Sequence, residues 1–223
     1  QARMVLRFYD PHLIEVRRNS EWFGKMPAAE LLSLLAMVTH ARLISRDMFQ
    51  RRIASGDDIR MHELVYPLLQ GFDSWKLESD LTIVGSDQLF NEMMGRFFQE
   101  KLGQTPQVII TSKVTPGLDG GPKQSKSLGN YIGLAFSPTD KFGKAMTLKD
   151  ELIGTFFEAY TDVPDEVLLA MRILAEENPF EAKKRLAHAI VRRFHGSGVA
   201  DEERARFEAT FSRRETPTEM PEV

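Results

Sequence analysis

Cysteine is absent from all 223 residues of the sequence. A chain without cysteine forms no disulfide bond and no thiolate metal site. No apolar run approaches the eighteen or so residues that are needed to span a bilayer. The first residues, Gln1-Ala2-Arg3-Met4, also lack the basic-then-apolar pattern of a secretory signal. We therefore expect no membrane association, and a location in the cytoplasm or an organelle matrix.

Excess charge of either sign is also small, because 29 Lys and Arg residues stand against 32 Asp and Glu residues, a net charge of -3. General coating of nucleic acid is therefore not expected. Any contact with RNA would come from local basic patches at residues 183–185, 192–193 and 213–214. The length and a hydrophobic content of 42% suffice for one large domain or two modest ones with buried cores.

Strand and helix patterns alternate in the first part of the chain. Strands are predicted over residues 5–10, 81–84 and 108–111, where apolar runs are short. Helices are predicted from Ser20, as the N-terminal cap, over 27–44, over 45–55 up to Gly56, over 61–75, and over 88–101 with Asp87 as the cap. The 27–44 segment is apolar nearly all round, which predicts burial in a core or against another subunit.

After Pro138 only amphipathic helical patterns remain, separated by turn residues. The chain is therefore predicted to divide near residue 136 into an α/β part and an all-helical part. The last residues, 217–223, have the composition of a linker.

The predicted helix 61–75 carries an unusual polar row. His62, Tyr66, Gln70 and Asp73 fall on one face at helical spacing, although Pro67 and a glycine within the segment weaken a helix. One interpretation is a surface helix with its polar side in water. The other is a ligand site, because these side chains hydrogen-bond small polar molecules while solvent faces are usually Lys and Glu.

A second polar group follows the strand predicted at residues 81–84. Gly85 would let a ligand approach the backbone, and Asp87 and Gln88 could bond to sugar hydroxyls or a polar ligand. The alternative is that Ser86 and Asp87 only cap a helix.

The stretch "GGPKQSKSLGNYIG" at residues 120–133 combines two lysines, Lys123 and Lys126, with the hydroxyls of Ser125 and Ser127. Ammonium groups, hydroxyls and loop amides can hold the phosphates of a nucleotide. The loop is not a P-loop, since G-x-x-x-x-G-K-[ST] is absent. A solvated basic turn is the alternative.

These segments together resemble the class I aminoacyl-tRNA synthetases, and among them the bacterial-type tyrosyl-tRNA synthetases. "KQSKS" is similar to the KMSKS loop of that class, with Gln124 where methionine is usual. "GLDGGPKQSKSLGNYIG", "YPLLQGFD" and "GSDQLFN" extend the likeness, as do "RNSEWF", "ARLISRDMF", "FGKAMTLKDEL" and "FSRRETPTEMPEV". The resemblance covers nearly the whole chain. It implies an α/β fold, the C-terminal half of a Rossmann-like catalytic domain, followed by an all-helical domain.

The resemblance also implies roles in binding the amino acid. Tyr66 and Gln70 would bind the α-amino group of L-tyrosine. Asp73 would accept a hydrogen bond from the substrate phenol, and Gln88 would contact the amino acid.

For ATP, the resemblance implies that Gly85 and Asp87 hold the ribose, while Lys123, Lys126 and Ser127 stabilise the pyrophosphate as the adenylate forms. Mg²⁺ would assist as a cofactor of ATP. No spacing of histidines suggests a protein-held metal site.

Partners and domains follow from the same resemblance. Residues 1–136 would be the partial catalytic domain with its mobile loop at about 112–135. Residues 137–216 would contact the anticodon stem of tRNA(Tyr), and 217–223 would lead to a further RNA-binding domain. A homodimer is expected, with the apolar 27–44 helix near its interface.

Two departures qualify the expected activity. The His-x-Gly-His signature of the class is absent from the sequence and is expected ahead of residue 1, and the C-terminal RNA-binding domain is also missing. We therefore expect a tyrosine–tRNA ligase whose present chain is inactive alone. The alternatives are a non-catalytic tRNA-binding or regulatory protein and a tryptophanyl-tRNA synthetase-like enzyme.

Overall fold

The computed structural model describes residues 9–212. Residues 5–8 of the first predicted strand, the patch at 213–214 and the predicted linker at 217–223 lie outside this range. The described chain forms two compact units, one of Glu15–Val114 and one that begins at Thr115 and also takes in residues 9–14. The basic loop thus belongs to the same unit as the helices that follow it.

Eight elements and their connections make up the first large part of the chain. They are helices α1 Ser20–Phe23, α2 Ala28–Ala36, α3 His40–Ile44, α4 Asp47–Ser55 and α5 Met61–Lys76, then strand β1 Leu81–Gly85, helix α6 Leu89–Lys101 and strand β2 Val108–Ser112. The two strands pair in parallel, with Leu81 opposite Val108 and Ile83 opposite Ile110. The strands predicted at 81–84 and 108–111 are therefore confirmed, and α6 is the crossover helix between them. Residues 9–10, the described end of the first predicted strand, are not in a strand.

The ends of two predicted helices are also confirmed. Helix α4 ends where Gly56 adopts a left-handed conformation with φ of 78° and donates its N–H to the last turn, as a C-terminal glycine does. Helix α5 runs almost as predicted, and Glu63 accepts from the backbone N–H of Arg60 at its start.

The single apolar helix predicted over residues 27–44 is wrong. The chain forms two helices, because Thr39 starts a new one by accepting a hydrogen bond from the N–H of Arg42. Burial in the core is wrong for most of the segment, where Leu34 and Leu43 are buried but Leu32 is 65% exposed. Burial against another subunit remains a prediction.

Two predicted caps are also wrong. Asn19, not Ser20, precedes α1, and Glu21 reaches back to the N–H of Arg18 instead. Asp87 lies in a 3-10 turn, Ser86–Gln88, and its carboxylate accepts from the side chain of Gln88 rather than capping α6.

The core of the first unit lies where α5 crosses α6. Phe72 packs edge-on to Phe98 and close to Trp75, and Phe49 and Leu68 are fully buried beside them. This packing holds the polar row of α5 in a fixed place beside the start of α6.

The second unit is helical in its described part, as predicted. Its helices are α7 Pro138–Met146, α8 Ile153–Tyr160, α9 Asp165–Glu177, α10 Pro179–His195 and α11 Ser197–Phe207, with a 3-10 turn Asp150–Leu152 and a π turn Glu208–Ser212. Helix α10 is central, with Leu186, Ile190 and Val191 fully buried. No strand occurs among the described residues that follow Pro138.

Candidate functional site

The polar row on α5 is built against a close helix crossing. A Cβ added to Gly71 would lie 2.7 Å from the carbonyl carbon of Met94, so this face of α5 touches the backbone of α6. Tyr66 is 60% exposed, whereas Gln70 and Asp73 are half-buried. Gly71 therefore allows α5 and α6 to pack closely, and this packing determines how far Gln70 and Asp73 are buried.

Gln70 and Gln88 are brought together by a residue between them. Asn91 donates through Nδ2 to Gln70 Oε1 over 2.8 Å and to Gln88 Oε1 over 3.1 Å. Two side chains that were predicted separately, one on α5 and one at the end of β1, thus belong to one hydrogen-bonded group.

A buried carboxylate lies under this group. Glu92 is 5% exposed and accepts from Gln70 Nε2 over 2.7 Å and from Gln107 Nε2 over 3.0 Å. Ser74 lies at the outer limit of hydrogen bonding, 3.5 Å away. No lysine or arginine in residues 9–212 forms an ion pair with Glu92, so this charge is held by amides and a hydroxyl alone.

Asp73 faces a separate concave surface. Its Oδ1 accepts from Trp22 Nε1 over 2.8 Å, and a cleft of about 450 Å³ beside it is lined by Trp22, Asn19, Arg17 and neighbouring residues. Burial raises the pKa of Asp73, hydrogen bonding, mainly from Trp22, opposes that rise, and the charge of Glu92 adds to it. Asp73 is therefore an acceptor that already holds one donor at the wall of a cleft.

The end of β1 opens onto a second cleft. Asp87 is exposed, and a Cβ on Gly85 would lie 2.8 Å from its Oδ1, so glycine gives the carboxylate room to fold back. The cleft of about 860 Å³ beside them is lined by Asp87, Phe90, Arg46 and other residues of α4. Arg46 lies over the ring of Phe90 at 4.9 Å. This edge offers two carboxylates, of Asp47 and Asp87, and several cationic groups to a polar ligand.

The loop that follows β2 is cross-linked by a single buried amide. Asn130 Oδ1 accepts from the N–H of Ser125 over 2.8 Å, and its Nδ2 donates to Asp119 over 3.0 Å. The N–H of Gly121 and the amide of Asn130 both donate to Asp119 and lower its pKa. A Cβ on Gly117 would lie 2.2 Å from Asn130 Nδ2, so glycine is required there. The base of the loop is thus fixed.

The groups predicted to meet phosphate lie outside this fixed base. Lys123, Lys126 and Ser127 are all exposed, and Ser127 Oγ is 2.8 Å from Ser125 Oγ. This leaves the ammonium groups at the surface of the second unit, where they can meet an anion.

Gln124, at the position where methionine is usual, has a specific partner. Its Oε1 accepts from the hydroxyl of Tyr160 over 2.8 Å and from the N–H of Ile132 over 3.4 Å. Burial raises the pKa of Tyr160, and the bond to Gln124 opposes the rise. The substitution therefore ties the loop to α8 instead of leaving a polar group unsatisfied.

The basic patch predicted at residues 183–185 is largely neutralised within the fold. Lys183 pairs with Asp150 at 2.5 Å, and Lys184 and Arg185 both pair with Glu181. The patch at 192–193 differs, since both arginines are exposed on α10.

Sequence reasoning missed Glu92, Asn91 and Asn130. The signal for Glu92 was present, because it is a lone acid in the apolar stretch "LFNEMM" and its partner Gln70 lies in the polar row. Asn91 and Asn130 give no comparable signal in the sequence, because an asparagine near a turn is usually interpreted as a turn residue.

Two kinds of feature are absent from the described residues. Residues 9–212 contain no group of three or more His, Asp or Glu side chains that could hold a metal ion. Within the same range, none of the helices combines the length and the apolar character that crossing a membrane requires.

Comparison with known proteins gives a consistent result. The family described as tRNA synthetases class I (W and Y) matches residues 1–212. A tyrosine–tRNA ligase of Moorella thermoacetica is 43% identical over 222 residues, 98% of this chain and 54% of that protein. One of Oleidesulfovibrio alaskensis is 43% identical over 223 residues, 99% of this chain and 56% of that protein. The chain spans about half the length of these curated relatives.

Solved structures show the same fold at lower identity. A C-terminally truncated mitochondrial tyrosyl-tRNA synthetase of Aspergillus nidulans gives a TM-score of 0.66 at 19% identity, over 94% of this chain and 64% of that one. The corresponding protein of Coccidioides posadasii gives 0.62 at 20% identity, over 92% and 63%. The small parallel sheet with its helices thus matches part of a class I synthetase fold.

Proposed function

Because this chain belongs to the class I tRNA synthetases for tryptophan and tyrosine, we propose that it is part of a tyrosine–tRNA ligase. In the proposed reaction the carboxylate of tyrosine attacks the α-phosphorus of ATP. Pyrophosphate leaves, tyrosyl-AMP forms, and the tyrosyl group then passes to tRNA(Tyr). The observation that carries the proposal is the group of Gln70, Asn91 and Gln88 beside Asp73, all within one compact unit.

For the amino acid, we assign the half-buried polar groups of α5. Tyr66 and Gln70 bind the α-amino group, Asp73 accepts from the phenol, and Gln88 contacts the amino acid. The geometry supports this because Gln70 keeps one free acceptor position on Oε1 and Asp73 has accepted only one of its possible donors from Trp22.

For ATP, Gly85 and Asp87 hold the ribose, and Lys123, Lys126 and Ser127 meet the leaving pyrophosphate. The exposed ammonium groups on a fixed loop base suit this role, since such catalysis depends on positioning and charge stabilisation rather than covalent chemistry. Mg²⁺ would be held mainly by the ATP phosphates.

The wider assignments rest on exposed surfaces. A second copy of the chain would cover apolar side chains such as Leu32 and Met61, which are 65% and 74% exposed. The anticodon stem of tRNA would meet the helical unit, where Arg192 and Arg193 are exposed. The present chain would be inactive alone, because residues for ATP that the His-x-Gly-His signature supplies are absent from its sequence.

The direct test is amino-acid-dependent exchange of pyrophosphate into ATP by the whole protein that carries this chain. Tyrosine should support exchange, while tryptophan and phenylalanine should not. Exchange with tryptophan would identify the tryptophanyl alternative, and no exchange with any amino acid would favour a non-catalytic tRNA-binding protein.

A variant of the loop makes the test specific. Lys126→Ala should slow adenylate formation at least tenfold in single turnovers while changing tyrosine affinity little, since the lysine would act on the pyrophosphate. The matched control is Lys101→Ala, an exposed lysine at the end of α6. A normal rate for Lys126→Ala would remove that lysine from the mechanism.

A further inference from the structure

We propose that Glu92 is a positioning residue that fixes the side-chain amide of Gln70 so that its oxygen, and not its nitrogen, faces the substrate ammonium. The inference rests on the proposed function, because it concerns how the α-amino group of tyrosine is recognised. Nothing in the resemblance assigns a role to Glu92.

Only one end of the Gln70 amide can accept a hydrogen bond from the substrate ammonium. An ammonium group has three donors and no acceptor, so only an oxygen can receive it. A glutamine side chain presents oxygen or nitrogen with equal ease, and an unconstrained amide would offer the wrong atom part of the time. Recognition of an ammonium by Gln70 therefore requires something that fixes the amide.

The second step is that two neighbours fix the same orientation. Glu92 Oε1, an acceptor, lies 2.7 Å from Gln70 Nε2, and Asn91 Nδ2, a donor, lies 2.8 Å from Gln70 Oε1. A flipped amide would place oxygen against a carboxylate and NH₂ against NH₂. Both contacts would be repulsive, so the flip is disfavoured at two points.

The third step concerns what holds Glu92 itself. Gln107 Nε2 donates to its Oε2 over 3.0 Å, and the N–H of Gln107 is in turn held by Gln99 Oε1 over 2.8 Å. Glu92, Gln99 and Gln107 are all 5% exposed or less. A Cβ on Gly95 would lie 2.9 Å from Gln107 Nε2, so the glycine leaves space for this amide. Both oxygens of the carboxylate thus accept hydrogen bonds from side chains that pack around it.

The charge of Glu92 contributes as well. No described cation pairs with it, so its field at the half-buried Gln70 is not cancelled locally. A hydrogen bond to a charged acceptor is stronger than one between neutral groups, so the charge of Glu92 strengthens its hold on Gln70 Nε2.

The experiment compares binding of two ligands to the whole protein by calorimetry. The ligands are L-tyrosine and 3-(4-hydroxyphenyl)propionate, which keeps the phenol and carboxylate but lacks the amino group. Glu92→Gln keeps the size of the side chain while removing its charge and its strict acceptor character. We expect the preference for tyrosine over the des-amino ligand to fall about tenfold, equivalent to about 1.4 kcal/mol.

The matched control is Glu100→Gln, an exposed glutamate on the same helix, which should leave the preference unchanged. The double variant Gln70→Ala, Glu92→Gln tests the route of the effect. If Glu92 acts through Gln70, its substitution should change little once Gln70 is gone. An unchanged preference in Glu92→Gln, or additive losses in the double variant, would overturn the inference.

A variant that does not fold and a failure of the proposed function can both be distinguished from a failure of the inference. If Glu92→Gln does not fold, Asn91→Ala tests the same orientation from the other side of the amide and should lower the same preference, and an unchanged preference there also counts against the inference. If the wild-type protein binds no tyrosine, the proposed function fails and the inference fails with it. If wild type binds tyrosine and the preference is insensitive to both variants, only the role of Glu92 is rejected.

Discussion

At the scale of single residues, the surroundings of Asp73 suit the selective acceptor that the proposed function requires. It is half-buried, its pKa is raised by that burial, and Trp22 occupies only one of its oxygens. A bound phenylalanine would leave the carboxylate without the hydroxyl donor. Discrimination against such ligands reaches roughly 10⁵, a magnitude that comes from tyrosyl-tRNA synthetases themselves and not from the geometry of this site.

We expect Asp73→Ala in the whole protein to lower the selection of tyrosine over phenylalanine by at least tenfold, because the proposed acceptor for the phenol hydroxyl is removed. The ratio of kcat/KM for the two amino acids in pyrophosphate exchange measures this. Asp80→Ala, an exposed aspartate beyond the end of α5, serves as the control. Unaltered selection in Asp73→Ala would refute the role given to this residue.

Glu181 carries a second prediction at the same scale. Desolvation acts to raise its pKa, but hydrogen bonds from Lys184 and Arg185 and the charge of Arg204 outweigh it, and the pKa falls to about 2. A carboxyl whose pKa is depressed by folding stabilises the fold above its unfolded pKa of about 4.5 and loses that contribution as pH falls towards 2.

The free energy of unfolding should therefore decrease by about 1 kcal/mol between pH 5 and pH 2.5 through this residue, after allowance for solvent screening. Glu181→Gln should lower stability at pH 7 and flatten the dependence on pH over that window, as measured by urea denaturation. Glu177→Gln, whose residue has no ion pair in the described chain, should behave as wild type. An equal slope in Glu181→Gln would show that this cluster does not stabilise the fold.

At the scale of elements, the crossing of α5 and α6 depends on Gly71. Its added Cβ would meet backbone atoms of Met94 and Gly95 at 2.7 Å and 2.9 Å, and backbone cannot rotate away as a side chain can. We expect Gly71→Ala to destabilise the protein by about 1–3 kcal/mol, the usual cost of overpacking. Denaturant unfolding at constant m-value measures the loss.

Gly143→Ala is the informative control for that substitution. Gly143 lies within helix α7, and its added Cβ would meet nothing within 4 Å. The same chemical change should there stabilise the protein by about 0.5–1 kcal/mol, because alanine loses less backbone entropy than glycine in a helix. Equal effects at the two positions would mean that the crossing is looser than the structure indicates.

Some of the helices and strands could be predicted from the sequence pattern, and others could not. Helix α5 and both strands were predictable, because their periodicity extends over enough residues to identify the element. The break between α2 and α3 was not, since it depends on one hydroxyl of Thr39 competing for a backbone N–H within an apolar run. The 3-10 turn at Asp87 depends likewise on a local contact, to the side chain of Gln88.

The candidate site also contains residues that could be predicted from the sequence and residues that could not. The residues that we propose to face the ligand, such as Gln70 and Asp73, can be found from the sequence. They form a polar row on one helix face without the Lys and Glu that are usual on a solvent-exposed face. The residues that hold them, Glu92 and Asn91, come from α6, and only the tertiary crossing of α5 and α6 reveals which of their atoms meet. The resemblance to tyrosyl-tRNA synthetases implies roles for Gln70 and Asp73 and none for Glu92 and Asn91.

At the scale of the whole molecule, one face of the parallel sheet lacks a cover within the described chain. Leu81, Ile83, Val108 and Ile110 are each 48–68% exposed and face one another across the strand pair. Parallel sheets are normally covered on both faces, and contiguous apolar surface marks an interaction site or an aggregation hazard. The curated relatives are nearly twice as long as this chain, and under the proposed function the additional part of the protein would cover this face.

The isolated 223-residue chain should therefore bind the dye ANS more strongly than an equimolar amount of the whole protein. Replacing Ile83 and Ile110 by threonine should remove most of that excess, because threonine keeps a strand-forming β-branched shape while reducing the apolar area. Leu169→Gln, at an exposed position on α9, is the control and should leave the excess intact. If the isolated chain binds no more dye than the whole protein, or if the paired threonine variant binds as much as the unaltered chain, then the open sheet face is not where the missing cover belongs.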